Sequence, residues 1–258
     1  MRLAKQVVLI TGASSGIGMA AAKAFASEGC SLLLAARRVN LLDEVATACR
    51  VQGVSCEVIG TDLLDSLQIL QLVSVAVEKF GRIDVLVNNA GLGFFAPFHE
   101  QTWSTIQTTL RTNLEGSLAL CHAVIPHMIR QKSGTIVNVS SVVGKRAVPQ
   151  LAAYCASKFG LWGFSQSLRG ELRPHGIHVC HFCPAATATE FHQVAGMQSP
   201  SGSLNGMDSA DKVAAAIVEA VVKQKREHIM SPVERLLIKA YLLAPAFTER
   251  MLELVRGK

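Results

Sequence analysis

Two side chains that could exchange a proton with a substrate lie four residues apart in the 258-residue chain. They are Tyr154 and Lys158, and on a helix this spacing puts both on one face. A free phenol, with a pKa near ~10, is a poor acid–base catalyst at neutral pH, but a neighbouring ammonium favours the phenolate. We therefore expect Lys158 to bring the pKa of Tyr154 towards the working pH, where proton transfer is most effective. Ordinary surface pairs have the same spacing, so other motifs must support this interpretation.

A glycine-rich turn near the N-terminus has the composition of a phosphate-binding loop. An apolar run over residues 6–11 leads into Thr11-Gly12-Ala13-Ser14-Ser15-Gly16-Ile17-Gly18, and a helical pattern follows. Glycines let the backbone turn tightly and approach a ligand closely. The helix N-terminus offers free N–H groups and a partial positive charge to a pyrophosphate. Because the turn links a strand to a helix, it predicts dinucleotide binding.

Short apolar runs alternate with longer helical patterns, which is typical of β–α units and a parallel sheet. Runs such as Val7–Ile10 are apolar throughout, as in strands covered by helices on both faces. We predict an α/β fold of the Rossmann type: one domain over 1–258, with a doubly wound, seven-stranded, mostly parallel sheet and helices on both faces. The predicted strands are 6–11, 31–36, 55–60, 84–88, 134–140, 177–183 and 227–230. The predicted helices are 16–28, 40–52, 65–80, 102–131 (continuous or broken near Asn113), 154–173 and 209–225.

Two segments differ from this pattern. Residues 190–208 are rich in Gly, Ser and Pro and have weak periodicity, which suits a substrate lid better than a core element. Residues 231–258 form an amphipathic tract that is interrupted at Pro245. This tract predicts helices that pack on the core or on a partner subunit, with peripheral contact to a membrane surface as the alternative.

The order and spacing of several motifs resemble the short-chain dehydrogenase/reductase family over about residues 5–230. Besides the glycine turn, the shared motifs are Asn88-Asn89-Ala90-Gly91, Asn113, Ser140-Ser141 and Tyr154-Cys155-Ala156-Ser157-Lys158. The resemblance implies an oxidoreductase that interconverts a ketone or aldehyde and an alcohol by hydride transfer. It also implies the roles of four catalytic residues. Tyr154 transfers the proton, Ser141 polarises the carbonyl oxygen, Lys158 also grips the nicotinamide ribose, and Asn113 breaks a helix and holds a water linked to Lys158.

The end of the second predicted strand indicates which dinucleotide is preferred. An acidic residue there would bind the ribose 2′-hydroxyl of NAD, whereas this chain has Ala36 followed by Arg37 and Arg38. Guanidinium groups suit a 2′-phosphate, so we predict NADP(H); two merely solvated arginines are the alternative. Asp62 is expected to bind the adenine, as the resemblance implies, or to cap the following helix. The expected cofactor-binding residues are Gly12, Ser14, Ser15, Gly16, Ile17, Gly18, Arg37, Arg38, Asp62, Leu63, Asn89, Ala90, Gly91, Tyr154, Lys158, Pro184, Thr187 and Thr189.

The sequence departs from the family pattern after the sixth predicted strand, where Pro184-Ala185 replaces the usual Pro-Gly. Alanine narrows the allowed backbone angles, so this change bears on the fine geometry of the cofactor site more than on the reaction. Cys180 and Cys183, just before it, have the spacing of a redox or zinc motif. Residues three apart in a strand point to opposite faces, and we expect no metal.

Apolar residues are expected to surround the substrate, since three segments converge at the mouth of the site in the family that the chain resembles. The predicted substrate residues are Phe94, Phe95, Val148 and Phe191, and Pro97, Phe98, Pro149, Leu151, Val194 and Met197 extend the same segments. This lining favours a lipophilic ketone, such as a steroid, a keto-lipid or an aromatic ketone, over a sugar. Packing in the core or in a subunit interface is the alternative for these residues.

The composition of the chain limits the classes of partner that we expect it to bind. The net charge is +6, but Lys and Arg are scattered without a basic-aromatic stripe, so no nucleic acid is expected. No signal peptide and no stretch of bilayer-spanning length is visible, and the seven cysteines occupy core-like positions. We therefore expect a cytoplasmic protein with free thiols. The resemblance implies a homodimer or homotetramer formed through helices 102–131 and 154–173.

Three rival functions use the same sequence features. A regulatory protein could bind NADP without turnover, although the complete set of four catalytic residues argues against it. A sugar-nucleotide epimerase or dehydratase would have a longer C-terminal half and another glycine spacing. An interaction protein could use the C-terminal tract for a partner or a membrane surface, and this role is compatible with catalysis.

Overall fold

A seven-stranded parallel sheet lies at the centre of the protein, in a computed structural model that describes residues 1–191, 195–196 and 207–255. The strand order is β3-β2-β1-β4-β5-β6-β7, and every neighbouring pair is parallel. The strands are β1 (Val7–Thr11), β2 (Ser31–Ala36), β3 (Cys56–Gly60), β4 (Val85–Asn88), β5 (Gly134–Val139), β6 (Ile177–Cys183) and β7 (Glu227–Ile229). The predicted fold class is thus confirmed.

Helices connect the strands and cover both faces of the sheet. They are α1 (Gly16–Ser27), α2 (Val39–Arg50), α3 (Ser66–Phe80), α4 (Trp103–Leu110), α5 (Gly116–Gln131), α6 (Ala152–Leu172), α7 (Ala210–Val222), α8 (Pro232–Leu243) and α9 (Pro245–Val255). The chain builds β1, β2 and β3 outward and then returns to place β4 on the other side of β1. This reversal opens a crevice at the carboxyl ends of the strands, where ligands bind in such sheets.

Successive side chains of each strand point to opposite faces of the sheet, and apolar side chains are buried under helices on both faces. In β1 and β2, Val8 and Leu32 pack with α1, α2 and α7, while Leu9 and Leu33 pack with α3, α5 and α6. All four side chains are fully buried, and each contributes about 1.5–3 kcal/mol by leaving water. The apolar strands therefore hold the sheet in a fixed position, and the loops at its carboxyl edge are placed with it.

The predicted helix 102–131 continues through Asn113, but its regular α-helical path is interrupted there. Residues Arg111–Glu115 form a π-helical turn between α4 and α5, in which the N–H of Gly116 donates to the carbonyl of Arg111. The buried Asn113 amide accepts a hydrogen bond from the N–H of Leu92 at 2.8 Å and donates to the carbonyl of Leu92 at 2.7 Å. It also donates to Ser157 Oγ at 3.1 Å. The turn thus inserts an amide that joins the loop after β4 to α6.

The C-terminal tract forms two helices that are divided at Pro245, as the amphipathic pattern predicts. Helix α8 begins after an N-cap serine, since Ser231 Oγ accepts a hydrogen bond from the N–H of Glu234 at 3.2 Å. Its exposed apolar side chains include Leu236, Leu242 and Leu243. In the described part of the chain, no helix has the length and apolar character needed to span a bilayer.

Most of the predicted lid at 190–208, including Val194 and Met197, lies outside the described residues. The described borders of this segment are held close together, because Thr187 and Asp208 form a parallel bridge. Phe191 begins the segment, and its carbonyl accepts a hydrogen bond from the N–H of Ala195 at 2.8 Å.

Candidate active site

A cavity of about 720 Å³ lies at the carboxyl ends of strands β1 to β6. Its volume is within the range of small-molecule and cofactor sites. All predicted cofactor residues except Gly18 line it: Gly12, Ser14, Ser15, Gly16, Ile17, Arg37, Arg38, Asp62, Leu63, Asn89, Ala90, Gly91, Tyr154, Lys158, Pro184, Thr187 and Thr189. The sheet therefore brings residues from across the whole sequence to one wall, as a dinucleotide site requires.

Glycine is required at three points of the first turn. Gly12 and Gly16 have φ angles of 65° and 54°, which side chains rarely adopt. Gly18 faces away from the cavity, and a Cβ there would lie 2.2 Å from the carbonyl oxygen of Gly12. Gly12 and Gly16 thus shape the backbone that faces a ligand, while Gly18 lets α1 approach the turn.

Thr11, which was not among the predicted site residues, fastens this turn to the loop after β4. Its Oγ accepts hydrogen bonds from the N–H groups of Asn89 and Ala90, both at 3.1 Å. In return, Asn89 Nδ2 donates to the carbonyl oxygen of Thr11 at 2.9 Å. The position of Thr11 directly before Gly12 was the available signal, since a hydroxyl at a strand end can accept from a neighbouring loop.

Three of the predicted catalytic residues meet at one end of the cavity. Ser141 follows β5 in an extended conformation, its Oγ accepts a hydrogen bond from the N–H of Val143 at 3.3 Å, and its hydroxyl acts on Tyr154 by lowering the pKa of the phenol. Lys158 Nζ lies 5.6 Å from the centre of the Tyr154 ring and donates to the carbonyl of Val139 at 3.0 Å. Asn113 lies behind this group, outside the cavity lining. The neighbouring Ser140 also lines the cavity, but its N–H pairs with the carbonyl of Phe182 in the sheet.

We expected Lys158 to lower the pKa of Tyr154 towards the working pH. Without a bound dinucleotide this expectation is wrong, because the pKa of Tyr154 is raised. Burial raises the pKa of Tyr154 above its ordinary value, and it is the hydrogen bond from Ser141 that lowers it in part. Burial also lowers the pKa of Lys158 to about 8. Both groups are at least nine-tenths buried, and burial disfavours the charged form of each. The spacing of the two residues in sequence does not reveal this common burial.

The two arginines after β2 have different surroundings. Arg38 donates to Ser15 Oγ at 2.7 Å and pairs with Glu190 at 3.1 Å. Arg37 also lines the cavity, and it makes no hydrogen bond or ion pair with the described residues. Both side chains are exposed. The Arg37 guanidinium is therefore available to an anionic ligand in the cavity.

Asp62 does not cap the next helix. Its Oδ1 accepts a hydrogen bond from the N–H of Leu64 at 3.0 Å, within the loop after β3. Helix α3 begins only at Ser66, and Asp65 caps it by accepting from the N–H groups of Leu67 and Gln68. The capping alternative for Asp62 is therefore wrong, because the helix starts too late for its carboxylate to reach the free N–H groups. Asp62 faces the cavity.

Of the predicted substrate residues, Phe191 lines the cavity, with its ring centre 5.5 Å from that of Tyr154. Val148 packs in the apolar cluster around Tyr154 without reaching the cavity. Phe94 is half-buried and Phe95 is exposed, and neither lines the cavity. The apolar end of the cavity is instead lined by Leu151, Val142, Val143 and Phe191.

Two residues of the C-terminal tract, Ser231 and Glu234, also line the cavity and were not predicted as site residues. Glu234 pairs with Arg146, whose side chain is 8% exposed, at 3.1 Å. The Ser-x-x-Glu spacing at residues 231–234 was visible in the sequence, but it shows only where a helix begins. That this helix begins at the cavity depends on the tertiary fold.

The remaining sequence signals have structural explanations. Ala185 lies outside the left-handed backbone region, so the missing glycine after Pro184 causes no strain there. Cys180 and Cys183 pack in two different apolar clusters, and all seven cysteines are free thiols. Among the described residues there is no group of three or more potential metal ligands.

The sequence matches one family model and many known proteins. The model, described as short chain dehydrogenase, matches residues 6–199. A dehydrogenase/reductase SDR family protein 7-like protein of Drosophila melanogaster is 34% identical over 90% of this chain and 74% of its own length. Ketoacyl reductase HetN of Nostoc is 30% identical over 96% and 88%, respectively. The 17-beta-hydroxysteroid dehydrogenase 13 of Rattus norvegicus is 33% identical over 87% and 74%.

Solved structures with bound dinucleotides have a similar fold. A metagenomic short-chain oxidoreductase in complex with NADP is 33% identical, with a TM-score of 0.77 over 89% of this chain and 97% of that chain. A short chain dehydrogenase/reductase from Burkholderia phymatum in complex with NAD is 25% identical, with a TM-score of 0.85 over 93% of each chain. Proteins similar to this chain therefore bind either dinucleotide.

Proposed function

The chain belongs to the short-chain dehydrogenase family of oxidoreductases, and from this membership we propose that it interconverts a lipophilic ketone and its alcohol with NADP(H). The observation that carries the proposal is the position of the Ser141–Tyr154–Lys158 group. It lies at one end of the same cavity whose other wall contains the glycine turn and Arg37. A dinucleotide held by the turn would reach a carbonyl group at Tyr154.

The cavity fits a dinucleotide on three structural grounds. No N-cap side chain accepts from the first N–H groups of α1, and Gly16 and Ile17 line the cavity, so these N–H groups can face a pyrophosphate. Asp62 faces the cavity on the side expected for adenine, and Arg37 is available beside it. When bound, the nicotinamide supplies or accepts the hydride.

The chain's own residues then control the oxygen and its proton. In reduction, Tyr154 donates a proton to the carbonyl oxygen, and Ser141 donates a hydrogen bond that stabilises the developing alkoxide. In oxidation, Tyr154 must act as a phenolate, which the positive charge of an oxidised nicotinamide favours. With a pKa of about 8, Lys158 is mostly charged at neutral pH and can hold a ribose hydroxyl. Asn113 keeps the loop after β4 in place through Leu92.

The preference for NADP(H) rests on Arg37 and on the lack of an acidic residue at the end of β2. We expect Arg37→Asp to weaken NADPH binding at least ~10-fold and to improve NADH binding, because it replaces an attractive charge by a repulsive one next to a 2′-phosphate. Fluorescence titration of both reduced dinucleotides measures this. Arg173→Asp makes the same charge change at an exposed site outside the cavity and should alter neither affinity. An unchanged NADPH preference in Arg37→Asp would contradict the assignment.

The proposed substrate class follows from the lining at the catalytic end. Leu151, Val142, Val143 and Phe191 present an apolar surface beside Tyr154, which favours a lipophilic ketone. The names of two relatives, a ketoacyl reductase and a hydroxysteroid dehydrogenase, agree with such a substrate. A homodimer or homotetramer that pairs α5 and α6 of neighbouring subunits remains part of the proposal.

The test is a panel of ketones and alcohols assayed with NADPH or NADP⁺, using the wild type and Tyr154→Phe. We expect the wild type to reduce lipophilic ketones. Tyr154→Phe should lose at least ~10³-fold in kcat because the proton donor is gone, while its affinity for NADPH stays within about twofold. Near-normal turnover by Tyr154→Phe would refute the mechanism. Tight NADPH binding without turnover of any substrate would favour the non-catalytic regulatory protein.

A further inference from the structure

An ion pair between a buried lysine and a more exposed glutamate follows the turn that carries Ser141. Lys145 comes directly after the short 3₁₀ turn Val142–Gly144, and its side chain is only 8% exposed. Its Nζ lies 2.7 Å from Oε1 of Glu227, at the start of β7. Neither residue lines the cavity, so neither belongs to the site described above.

Lys145 also contacts the helix that carries Tyr154 and Lys158. Its Nζ lies 4.6 Å from the centre of the Trp162 ring, and Trp162 is one helical turn after Lys158 on α6. The preceding Gly144 packs closely on the same helix, since a Cβ there would lie 2.7 Å from the carbonyl oxygen of Lys158. The ion pair thus connects the Ser141 turn to both β7 and α6.

A second set of contacts leads from Glu227 back to Ser141. The fully buried His181 on β6 has its Nδ1 3.5 Å from Oε1 of Glu227. Cys183, two residues further along β6, lies 3.6 Å from the same imidazole nitrogen and donates to the carbonyl of Ser141 at 3.4 Å. Side chains around Glu227 therefore hold Ser141 at its backbone as well as through Lys145.

We propose that Lys145 and Glu227 are positioning residues, whose ion pair holds the turn that carries Ser141 and so keeps the Ser141 hydroxyl facing Tyr154 in the shared cavity. The catalytic importance of this placement rests on the proposed function; the placement itself does not. The pair is suited to this task because both ends are anchored in the fold, Glu227 in the sheet and Lys145 against α6. Without it, the turn would lose its link to β7 through Lys145, and the contact from Cys183 to the Ser141 carbonyl would remain as the weaker tie to β6.

The pair should act on the ionisation of Tyr154. The hydrogen bond from Ser141 lowers the pKa of Tyr154, so a displaced Ser141 leaves a phenol that ionises at higher pH. The pKa of Glu227 is held at about 2 by its hydrogen bonds to His181 and Lys145, which outweigh burial, and the carboxylate is charged at any working pH. The titratable or charged groups that face Tyr154 are Lys158, Cys155 and Cys183, and those that face Glu227 are Lys145, His181, Arg169, Cys180 and Cys183.

The decisive variant is Lys145→Met/Glu227→Gln, which removes both charges and so leaves no unpaired ion in the interior. The readout is the absorbance of tyrosinate during alkaline titration. Tyr154 and Tyr241 are the only tyrosines of the chain, so a Tyr241→Phe background reports Tyr154 alone. The titration is made with saturating oxidised dinucleotide, and circular dichroism verifies folding at each pH. It needs no substrate.

We expect the midpoint of Tyr154 ionisation to rise by ~0.5–1 pH unit in the double variant, in the direction that Ser141→Ala also produces. With a substrate, kcat should fall ~10–100-fold, as misplacement of a reacting group by about 1 Å commonly costs, while the affinity for the dinucleotide stays within twofold. Lys145→Arg keeps the charge and should recover most of both properties. A residue that only stabilises the fold would lower the melting temperature without moving the Tyr154 midpoint.

The control is Lys223→Met/Glu219→Gln, which removes an ion pair at the C-terminal end of α7, together with the contact of Glu219 to Arg2, outside the cavity. It should leave the midpoint and kcat unchanged. A folded Lys145→Met/Glu227→Gln protein with the wild-type midpoint overturns the proposal, as does an equal shift in the control. A shifted midpoint in a protein that turns over no ketone or alcohol would support the positioning role and reject the proposed function, so the two failures are distinct.

Discussion

Lys158 is subject to two opposing requirements. Its side chain is buried beside Tyr154, where the carbonyl of Val139 accepts a hydrogen bond from Nζ. Burial lowers its pKa from the ordinary 10.5 to about 8, which means that the folded protein disfavours the ammonium. The proposed reaction nevertheless needs a positive charge at this position. Residues that serve catalysis at some loss of stability are common in enzymes.

We predict that Lys158→Met stabilises the protein at neutral pH while abolishing turnover. The unfolded chain binds more protons than the folded one between pH 8 and 10.5, so the cost of burying the ammonium is complete below pH 8 and disappears as pH rises through this window. The gain for Lys158→Met should reach about 3 kcal/mol at most at pH 7 and vanish above about pH 10.5. Urea unfolding of both proteins without dinucleotide, from pH 6 to pH 10.5, measures it. A difference that does not depend on pH would contradict the assigned pKa.

At the scale of residues, the sequence predicted which side chains form the catalytic group. It did not predict the directions in which their pKa values shift. The spacing of Tyr154, Lys158 and Ser141 was sufficient to select side chains that the fold brings together. The pKa directions depend on burial, which is a property of the packed molecule. The same reason applies to Phe94 and Phe95, whose apolar character does not show whether they face a cavity or lie outside it.

At the scale of elements, the link from β1 to α1 is the most constrained. Gly18 has no space for a side chain, since a Cβ would lie 2.2 Å from the carbonyl oxygen of Gly12. Any substituent has to move the helix away from the turn. The start of α1 is also the part of the helix that faces the cavity, so packing and ligand binding depend on the same backbone.

We predict that Gly18→Ala destabilises the protein by ~1–3 kcal/mol and weakens dinucleotide binding at least ~10-fold, because an overpacked site shifts the surrounding backbone. Thermal unfolding and dinucleotide titration measure the two effects. Gly170→Ala is the matched control. Gly170 lies in α6, and a Cβ added there would have no neighbouring atom within 4 Å. This substitution should therefore stabilise the helix by ~0.5–1 kcal/mol and leave dinucleotide binding unchanged. Normal binding by Gly18→Ala would show that the turn tolerates a shifted helix.

Most elements were predictable because the apolar periodicity of buried strands and amphipathic helices is strong. Their ends agree with the predicted ones to within a few residues. The π-helical turn at Asn113 and the cap at Asp65 were less accessible. Asn113 distorts its helix because its amide reaches Leu92, and this partner comes close only in the folded chain. The first helical residue of α3 is set by Asp65, whose carboxylate accepts from the N–H groups of Leu67 and Gln68.

At the scale of the whole molecule, the C-terminal tract closes the site. Glu234 on α8 reaches Arg146 across 88 residues of sequence and lines the cavity as well. Ile238 on the same helix packs with Ile229 and Cys183 at the edge of the sheet. The sequence suggested that this tract packs on the core, but it did not reveal that the tract supplies a wall of the cavity.

We predict that Glu234→Ala destabilises the protein by ~1–3 kcal/mol, since it leaves the buried Arg146 guanidinium without its carboxylate. It should also change KM for the substrate while the affinity for the dinucleotide stays the same. Arg146→Met/Glu234→Ala should recover stability, because it removes the unpaired charge. Chemical unfolding and steady-state kinetics measure these effects. A double variant no more stable than Glu234→Ala would show that the two side chains do not act as a pair.

The Arg146–Glu234 contact also has an evolutionary consequence. A relative that acquired a different C-terminal tract by recombination would receive a new residue at 234 while keeping its own at 146, and the buried Arg146 would then lack a partner of opposite charge. Such chimaeras should survive only when both positions come from the same parent. A change of substrate through the C-terminal tract is therefore tied to residue 146, and new specificities should arise by paired changes at positions 146 and 234.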